Sequence, residues 1–339
     1  TCAILDNESV KCWGANASGQ LGLGDTNNRG DNSGEMGDTL LSVDLGTERT
    51  AKAIAAGYQH TCVILDNESV KCWGANTSGQ LGLGDTNSRG DGSNEMGDNL
   101  PIVDLGSGRT AKTISTGYGH TCAILDNSSV KCWGLNDLGQ LGQDDYVSRG
   151  DGSGEMGDNL PAIDLDSSGK TAISITTGAR HTCVRLDDNN VKCWGQGAFG
   201  QLARDKNTKL NDPPQPNIAL GSGRTAQAIV AGNSHTCVIL DNSSIKCWGL
   251  NSSGQLGQGS AINRDKDNYL GDDLPTIDLG SGKTARAISA GEGHTCAVLE
   301  DGSLKCWGKN DSGQLGQGDT NNRGDGSGEM GDNLPVTSL

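Results

Sequence analysis

Twelve cysteines form six pairs, and the two members of each pair are ten positions apart. Paired thiols can bind zinc, carry out redox catalysis or close structural disulfides. Zinc sites usually combine two close pairs of ligands, and redox motifs place two residues between the cysteines. The spacing in this chain matches neither arrangement. We therefore predict six structural disulfides, Cys2–Cys12, Cys62–Cys72, Cys122–Cys132, Cys183–Cys193, Cys237–Cys247 and Cys296–Cys306.

The complete pairing of the cysteines also bears on where the protein resides. Disulfides persist in oxidising compartments and are rare in the cytosol. We therefore predict an extracellular or cell-surface protein. Because the first residue is Thr1 rather than methionine, we expect a processed protein or part of a longer chain.

The histidines are the next residues that could carry out chemistry, and each of the five directly precedes a Thr-Cys pair. A catalytic or metal-binding histidine needs a nucleophile or further ligands nearby, and each copy of the motif offers a single histidine. We predict structural, buried imidazoles whose two nitrogens bond backbone groups near the turn. Since no serine, cysteine or carboxylate lies in a recognisable catalytic motif, we predict that the protein is not an enzyme. The histidines are His60, His120, His181, His235 and His294.

Four loops of similar sequence place carboxylates and asparagines around an Arg-Gly-Asp tripeptide. Such oxygens can bind calcium, but an EF-hand needs its bidentate glutamate at position 12, and Glu35 is at position 11 counted from Asp25. Three alternatives remain open: a calcium site of another geometry, an adhesion tripeptide such as Arg29-Gly30-Asp31, or an ordered loop whose arginine pairs with local carboxylates. The calcium candidates are Asp25, Asn27, Asp31, Glu35, Asp85, Asp91, Glu95, Asp319, Asp325 and Glu329.

Eight asparagines lie in Asn-x-Ser/Thr sequons, the acceptor sequence for N-linked glycans. We predict that all eight lie in exposed turns. In a eukaryotic source some would carry glycans, whereas in a bacterial source they would simply be turn residues. Four candidates precede the second cysteine of a pair, Asn7, Asn67, Asn127 and Asn242, and four follow the Trp-Gly pair, Asn16, Asn76, Asn251 and Asn310.

These residues recur because one motif of about sixty residues is written six times along the chain. A repeat of this kind cannot bury its apolar face alone and must pack against its neighbours. In the second copy, two strand-like runs flank a turn centred on Asn67. Pairing about that turn would bring Cys62 opposite Cys72, within reach of a disulfide. The same register would bring Ile64 opposite Val70.

Each copy has enough strand-like segments for a four-stranded sheet. In the second copy these segments are residues 61–65, 70–74, 100–105 and 110–116. A proline at position 101 places the third segment at the edge of the sheet, where a missing N–H is tolerated. Helical repeats would show apolar residues at 3.6-residue spacing, which is absent here. We therefore predict an all-β β-propeller with six repeats and one four-stranded blade for each repeat.

The string Gly-x-x-His-Thr, a strand, an Asp/Asn turn, Trp-Gly, Asn and Gly-Gln-Leu-Gly resembles the regulator-of-chromosome-condensation repeat. In the second copy it runs from Gly57 through Trp73 and Asn76 to Gly82. The resemblance covers essentially the whole chain and implies a β-propeller with one four-stranded blade per repeat. The best-known members of the family have seven repeats and exchange nucleotide on a small GTPase in the nucleus. The paired cysteines and the acidic charge here are more similar to exported bacterial members, which include an inhibitor of β-lactamases.

The last copy ends at Leu339, which aligns with Leu45 of the first copy. The counterpart of residues 46–60 is therefore missing, and a six-bladed ring would lack one strand at its seam. We predict a single propeller domain over residues 1–339. Its repeats span approximately residues 1–60, 61–120, 121–181, 182–235, 236–294 and 295–339.

The net charge of −16 argues against nucleic acid as a partner, because an acidic surface repels phosphate. No apolar run reaches the roughly 20 residues that span a membrane, so we predict no membrane insertion. No cofactor is predicted apart from the calcium considered above. The leading hypothesis is a non-enzymatic extracellular or cell-surface propeller, a structural, assembly or protein-binding module that takes proteins or copies of itself as partners.

The alternative hypothesis is a secreted inhibitor or regulator that caps one protein partner through a propeller face. Near-identical repeats present near-identical surfaces, so a single-partner role would need one divergent repeat. The fourth copy is the divergent one. Its unusual residues are Phe199, Arg204, Lys206, Lys209 and Pro213-Pro214.

Overall fold

The computed structural model describes residues 1–165, 169–203, 217–264 and 270–337. In these ranges, seventeen strands form five three-stranded sheets and one two-stranded sheet. Each sheet contains one of the six cysteine hairpins, so the predicted all-β fold with one blade per repeat is confirmed. The first strand of each three-stranded sheet comes from the end of the preceding repeat. The strands are β1 (Cys2–Ile4), β2 (Val10–Cys12), β3 (Ala51–Ala56), β4 (His60–Leu65), β5 (Val70–Gly74), β6 (Ala111–Thr116), β7 (His120–Leu125), β8 (Val130–Gly134), β9 (Ala172–Thr177), β10 (His181–Leu186), β11 (Val191–Gly195), β12 (Ala226–Ala231), β13 (His235–Leu240), β14 (Ile245–Gly249), β15 (Ala285–Ala290), β16 (His294–Leu299) and β17 (Leu304–Gly308).

The chain divides into two compact units, Thr1–Asp164 and Leu165–Leu339. The first unit contains the sheets β1-β2, β3-β4-β5 and β6-β7-β8, and the second contains β9-β10-β11, β12-β13-β14 and β15-β16-β17. The single propeller domain over residues 1–339 stays a prediction. Leu339, on which the predicted seam depends, lies outside the described residues. Short 3₁₀ helices lie at Gly37–Thr39, Gly97–Asn99, Gly157–Asn159, Gly271–Asp273 and Gly331–Asn333.

The hairpin that carries the cysteines has the predicted register in every sheet. Cys62 lies opposite Cys72, and Ile64 lies opposite Val70. The strands β4 and β5 agree with the predicted segments to within one residue. All six predicted disulfides are present, with 4.1 Å between the paired Cα atoms. Local strand pairing therefore brings the sulfurs together without help from the rest of the fold.

The hairpin turn also connects one sheet to the next. Its third residue, Glu68, has a left-handed backbone with a φ of 65°, a conformation that few residues other than glycine adopt. The Glu68 carbonyl accepts a hydrogen bond from Ala111 N at 3.1 Å, and its Oε2 atom accepts one from Thr110 Oγ1 at 3.1 Å. The hairpin turn of the second sheet therefore fixes the start of β6 in the third sheet.

The prediction of a fourth strand in each blade is wrong. In the second repeat, residues 100–105 are extended but join the sheet through the bond from Val103 N to Val70 O, at 2.8 Å. The proline of this segment has no N–H to donate. The Asp104 carbonyl instead accepts from Gly157 N of the third repeat at 3.1 Å. The segment connects neighbouring sheets, and this use of its backbone groups prevents a regular ladder.

Within each unit, the hydrophobic core lies between successive sheets. Because alternate residues of a strand point to opposite faces, Val63 packs in the cluster shared with the first sheet, and Ile64 packs in the cluster shared with the third. Trp73 and Trp133 are fully buried in these same two clusters. The strands β4 and β5 are thus buried on both faces, and the core consists of aliphatic side chains, bridged cysteines and tryptophans.

Candidate functional site

Each three-stranded sheet has two ends with different chemistry. In the second sheet, the turn at residues 57–59 joins β3 to β4, and the turn at residues 66–69 joins β4 to β5 at the other end. We call the first the histidine end, because His60 follows it, and the second the hairpin end. The strand β5 finishes at the histidine end, where Ala75 N donates to Gln59 O at 2.8 Å. The loop that follows β5 therefore begins at the histidine end.

A buried chain of hydrogen bonds joins successive sheets at the histidine end. The Nε2 atom of His60 lies 2.9 Å from Oγ1 of Thr121 in the third sheet. Thr121 Oγ1 donates to the Gln80 carbonyl at 2.9 Å, and Trp133 Nε1 donates to the same carbonyl at 3.1 Å. Because the threonine proton is used in this way, the imidazole donates from Nε2. We call such a set of four residues a histidine latch.

The latch joins two consecutive sheets. The histidine lies in one sheet and the glutamine in the loop that follows that sheet, whereas the threonine and the tryptophan lie in the next sheet. The polar groups of the repeated motif are therefore used to hold sheets together. Two further latches lie in the second unit, His181 with Gln201, Thr236 and Trp248, and His235 with Gln255, Thr295 and Trp307.

The predicted burial of the histidines is correct for His60, but the predicted partners are wrong. His60 is 1% exposed, and its Nε2 partner is a hydroxyl of the next sheet rather than a backbone group. Its Nδ1 atom is buried without a hydrogen-bond partner among the described residues. The cause is Gly57, which packs so closely that an added Cβ would lie 2.9 Å from Nδ1. Burial lowers the pKa of His60 and of His181 to about 4, so both rings are neutral at pH 7.

The lysine that precedes the second cysteine is buried in five of the six hairpins, and the sequence reasoning missed this burial. Lys71 is 5% exposed, and its Nζ atom donates to Leu45 O at 3.0 Å and to Gly97 O at 2.7 Å. Burial lowers the pKa of Lys71, while the carboxylates of Asp98 and Asp44 act in the opposite direction. The lysine ties the outer segment of one repeat to the loop of the next. Lys131, Lys246 and Lys305 make the equivalent contacts.

The sequon asparagines that follow the Trp-Gly pair are buried, so the prediction that they are exposed is wrong. Asn76 shows the reason. Its Nδ2 atom donates to Asp85 O at 2.8 Å, and its Oδ1 atom accepts from Leu81 N at 3.0 Å. Because the side chain holds the following loop in shape, its amide nitrogen is closed to a glycosyltransferase. The buried asparagines are Asn16, Asn76, Asn251 and Asn310.

The other sequon asparagines are exposed at the hairpin end, in agreement with the prediction. The Oδ1 atom of Asn67 accepts from the N–H of Ser69 at 3.1 Å and from its hydroxyl at 2.7 Å. The serine of the sequon thus orders the asparagine while leaving the residue exposed. The exposed asparagines are Asn7, Asn67, Asn127 and Asn242.

In the acidic loops, the arginine pairs with a carboxylate of its own loop. Arg29 donates from Nη2 to Asp25 Oδ2 at 2.6 Å and from Nη1 to Asn27 O at 2.7 Å. These bonds occupy the guanidinium that an adhesion tripeptide would present. The observed arrangement is the ordered loop with a local ion pair. The same ion pair forms at Arg89, Arg149 and Arg323.

The calcium candidates are spread over each loop. Across the ranges that the structure describes, no group of three or more His, Cys, Asp or Glu side chains is placed to hold a metal ion. The nearest arrangement is a carboxylate pair, in which burial and the hydrogen bond to Glu95 raise the pKa of Asp91. The calcium site therefore stays a prediction. Asp25, Asp85 and Asp319 pair with arginines, Asp31 accepts from Asn28 and Asn32, and Glu35, Glu95 and Glu329 accept backbone N–H groups.

The divergent fourth repeat is described only in part. Phe199 is half-buried, and its N–H donates to Gln201 Oε1 at 2.9 Å. The remaining fourth-repeat residues that were singled out from the sequence lie outside the described residues, namely Arg204, Lys206, Lys209 and Pro213-Pro214.

None of the helices in the described ranges has the length and apolar character of a membrane span.

Comparisons with known proteins agree with this architecture. A family model described as the RCC1-like domain matches residues 1–329. The ultraviolet-B receptor UVR8 of Arabidopsis thaliana is 28% identical over 320 residues, which cover 93% of this chain and 64% of UVR8. The chain thus spans less than two thirds of the length of that relative.

Two solved structures share the fold at low sequence identity. The crystal structure of human WBSCR16 aligns with a TM-score of 0.72 and 18% identity, covering 97% of this chain and 76% of that one. The structure of Prp20p from Saccharomyces cerevisiae, reported with its binding properties to Gsp1p and histones, aligns with a TM-score of 0.66 and 21% identity. That alignment covers 91% of this chain and 68% of Prp20p. At these identities the likeness concerns the fold alone.

We expect removal of calcium to leave the melting temperature of the protein unchanged. The aspartates and glutamates described above already accept hydrogen bonds from arginine and backbone groups, so the folded loops have no need of a cation. Thermal unfolding followed by circular dichroism in EDTA and in excess calcium chloride measures the effect. A melting temperature that falls in EDTA and recovers with calcium would contradict this expectation.

We expect Thr121→Val to lower the free energy of unfolding by about 1–3 kcal/mol, because it leaves the buried donor of His60 without an acceptor. Thr113→Val is the matched control. Its Oγ1 atom is buried without a hydrogen-bond partner among the described residues, so its loss should cost little or nothing. Urea denaturation of both variants measures the difference. Equal losses in the two variants would show that the latch contributes no specific stability.

We expect the free energy of unfolding to fall as the pH decreases from about 6.5 towards 4. The pKa of His60 is about 4 in the folded protein, against about 6.5 for an unfolded histidine, so the unfolded chain binds more protons between these values. The stabilisation is complete above the unfolded pKa and declines by up to about 1.4 kcal/mol per pH unit for each such histidine. Burial also lowers the pKa of His235, to about 3.

Urea denaturation across this pH range measures the number of protons taken up on unfolding. In His60→Gln, which retains a side-chain donor but does not titrate, the uptake should decrease by one proton at most. An uptake equal to that of the unsubstituted protein would assign the pH dependence to other groups.

Proposed function

Because the chain belongs to the RCC1-like domain family, we propose that it is a non-enzymatic, extracellular or cell-surface β-propeller that acts by binding proteins. Its resemblance to the regulator-of-chromosome-condensation repeat is confirmed by that family match. The observation that carries the proposal is the disulfide in every repeat. Bridged hairpins of this regularity are expected outside the reducing cytosol.

Protein binding is supported by what similar propellers are reported to do. UVR8 is named as a receptor, and Prp20p was studied for binding to Gsp1p and histones. Since this chain shares the fold of Prp20p at 21% identity, we carry over the mode of action, which is protein contact, and no particular partner.

Assembly from repeated contacts is favoured by the near identity of the loops. Residues 25–38 and 319–332 differ at one of fourteen positions. Equivalent loops can make several weak contacts at once, and their combined avidity exceeds that of one contact. We therefore propose a structural or assembly role in a larger extracellular structure, with other proteins or copies of the same chain as partners.

A catalytic role finds little support in the described residues. His60, His181 and His235 are held in latches, and the cysteines are bridged. The first carboxylate of each intact acidic loop pairs with the loop arginine. Groups that are fixed and desolvated in this way serve stability, whereas a catalytic centre needs convergent groups with access to a substrate.

The second candidate is a secreted inhibitor or regulator that caps one partner, and the fourth repeat favours it. Arg185 stands where the second repeat has the buried Ile64, and its Nη1 atom donates to Asn189 Oδ1 at 2.5 Å. Gly197 stands where the second repeat has the buried Asn76. A single altered repeat gives the molecule one surface that the other repeats do not duplicate.

When a eukaryotic host secretes the protein, we expect glycans at Asn67 and none at Asn76. The two sequons are nine residues apart, but the first asparagine is exposed and the second is 0% exposed. Glycopeptide mass spectrometry with and without glycosidase gives the occupancy of both, and Asn76 serves as the internal control. A glycan at Asn76 would contradict the burial of its side-chain amide described above.

The proposed function is tested on protein isolated from its native source. Non-reducing peptide mapping should find every cysteine pair bridged, and free thiols would refute the extracellular assignment. Chemical cross-linking with mass spectrometry then identifies the partner. Links between copies of this chain, or to several components of one structure, support assembly, whereas links to a single different protein at one to one support the capping alternative.

A further inference from the structure

Two exposed tyrosines stack on each other at the histidine end of the first unit. The ring centroids of Tyr58 and Tyr118 are 4.6 Å apart, with 23° between the ring planes. Tyr58 is 63% exposed and Tyr118 is 43% exposed. Aromatic residues make up only 3% of the chain, and two of them lie exposed side by side here. Exposed apolar patches of this kind often mark a surface that contacts a partner. At the same turn position the fourth, fifth and sixth sheets have Ala179, Asn233 and Glu292.

The backbone holds this pair in place. Tyr58 N donates to Gly117 O at 3.2 Å, so the two turns that carry the tyrosines are bonded to each other. Each turn is closed by its own bond, from Gly57 N to His60 O and from Gly117 N to His120 O, both at 2.8 Å. The rings therefore form a pre-organised surface, and binding of a ligand there costs little conformational entropy.

The surroundings of the pair are strongly acidic. The Gly74 backbone exchanges two hydrogen bonds with Arg89, which brings the acidic loop to the histidine end. An added Cβ on Gly19 would lie 2.3 Å from Asp91 N, so the loop also packs on the preceding repeat. The histidine-end segments of the first unit contain eleven carboxylates, three arginines and no lysine, a net formal charge of −8. These segments are residues 13–36, 57–60, 73–96, 117–120 and 133–156.

The positive charges within these segments do not oppose a cationic ligand. Each of the three arginines, Arg29, Arg89 and Arg149, is in an ion pair with the aspartate four residues before it. The hairpin end of the same unit differs, because it carries mixed pairs such as Lys52 with Glu68 and Arg49 with Asp66. The negative field is therefore concentrated on the end that presents the tyrosine rings.

We infer that the Tyr58–Tyr118 pair and the acidic loops around it bind an arginine- or lysine-rich segment of a protein partner. The faces of aromatic rings attract guanidinium and ammonium groups, and tyrosines are frequent energetic centres of protein interfaces. The surrounding carboxylates steer the basic segment to the rings. This inference rests on the proposed function of protein binding and adds the site and the chemistry of the partner.

The test uses a fluorescein-labelled peptide of alternating arginine and glycine, and a matched peptide in which citrulline replaces every arginine. Fluorescence anisotropy with the full chain at low salt should show that the arginine peptide binds and that the citrulline peptide binds much more weakly. The double variant Tyr58→Leu/Tyr118→Leu should lose about three- to tenfold in affinity. The double variant Tyr58→Phe/Tyr118→Phe, which retains both rings, should stay within about twofold of the unsubstituted protein.

Tyr146→Leu is the matched control, because Tyr146 is 50% exposed in an acidic loop and does not belong to the stacked pair. Its affinity for the arginine peptide should be unchanged. All variants replace exposed side chains, and melting curves verify that they fold. Equal affinity of the leucine double variant and the unsubstituted protein would overturn the inference, as would preferential binding of a neutral oligosaccharide over the arginine peptide.

The outcome is separable from that of the proposed function. If native cross-links join this chain to a protein partner at another surface, the protein-binding function stands and the tyrosine site fails. If the leucine variant loses the arginine peptide while the native thiols prove to be free, the site stands and the extracellular assignment fails.

Discussion

The carbonyl of Gln80 links the second and third sheets by accepting hydrogen bonds from both Thr121 and Trp133. His60 then donates to the same threonine, so side chains from three strands and the carbonyl of one loop meet at a buried point. A buried carbonyl or imidazole without its partner costs more than the bond itself contributes. Separation of the second and third sheets would therefore leave these groups unpaired, and the hairpin disulfide keeps Thr121 and Trp133 opposite each other.

Buried polar groups give this aliphatic core its specificity. Val, Ile, Leu and Ala side chains pack in many registers at similar cost, and such cores lose uniqueness before they lose stability. The latch, Lys71 and Asn76 each demand one geometry, because their donors and acceptors are buried and directional. The result is a rigid support for the loops at the histidine end, where an interaction surface has to be held in a fixed shape.

The features predicted correctly from the sequence are those that depend on neighbouring residues. The disulfide between Cys62 and Cys72 follows from one hairpin and one turn, and so does its register. The partner of His60 could not be predicted in this way, because Thr121 is sixty-one residues away and belongs to another repeat. The prediction of a fourth strand was wrong for a similar reason, because the carbonyl of Asp104 accepts a hydrogen bond from Gly157 N of the following repeat.

Predictions made from sequence motifs were also wrong where the surrounding structure decides what the motif does. Asn67 and Asn76 lie in the same kind of tripeptide, and only the loop that folds over Asn76 makes it inaccessible. The invariant lysine of the six hairpins, Lys71 in the second, was a usable signal, because it occupies an inward position in a strand with both faces buried. The tyrosine pair had no local signal at all, since it forms only when two turns come side by side.

The division of the latch between consecutive sheets has a consequence for how such a chain can grow. All six copies of the motif contain the glutamine, the threonine and the tryptophan, and the chain has five histidines for the junctions between them. In each latch the histidine and the glutamine carbonyl come from the earlier sheet, and the threonine and the tryptophan come from the later one. A gene duplication that inserts one whole copy within a unit creates two new junctions that already match chemically. The number of repeats can therefore change over evolution by whole copies with little loss of stability. Loss of half a copy would instead leave buried hydrogen-bond donors without acceptors on both sides.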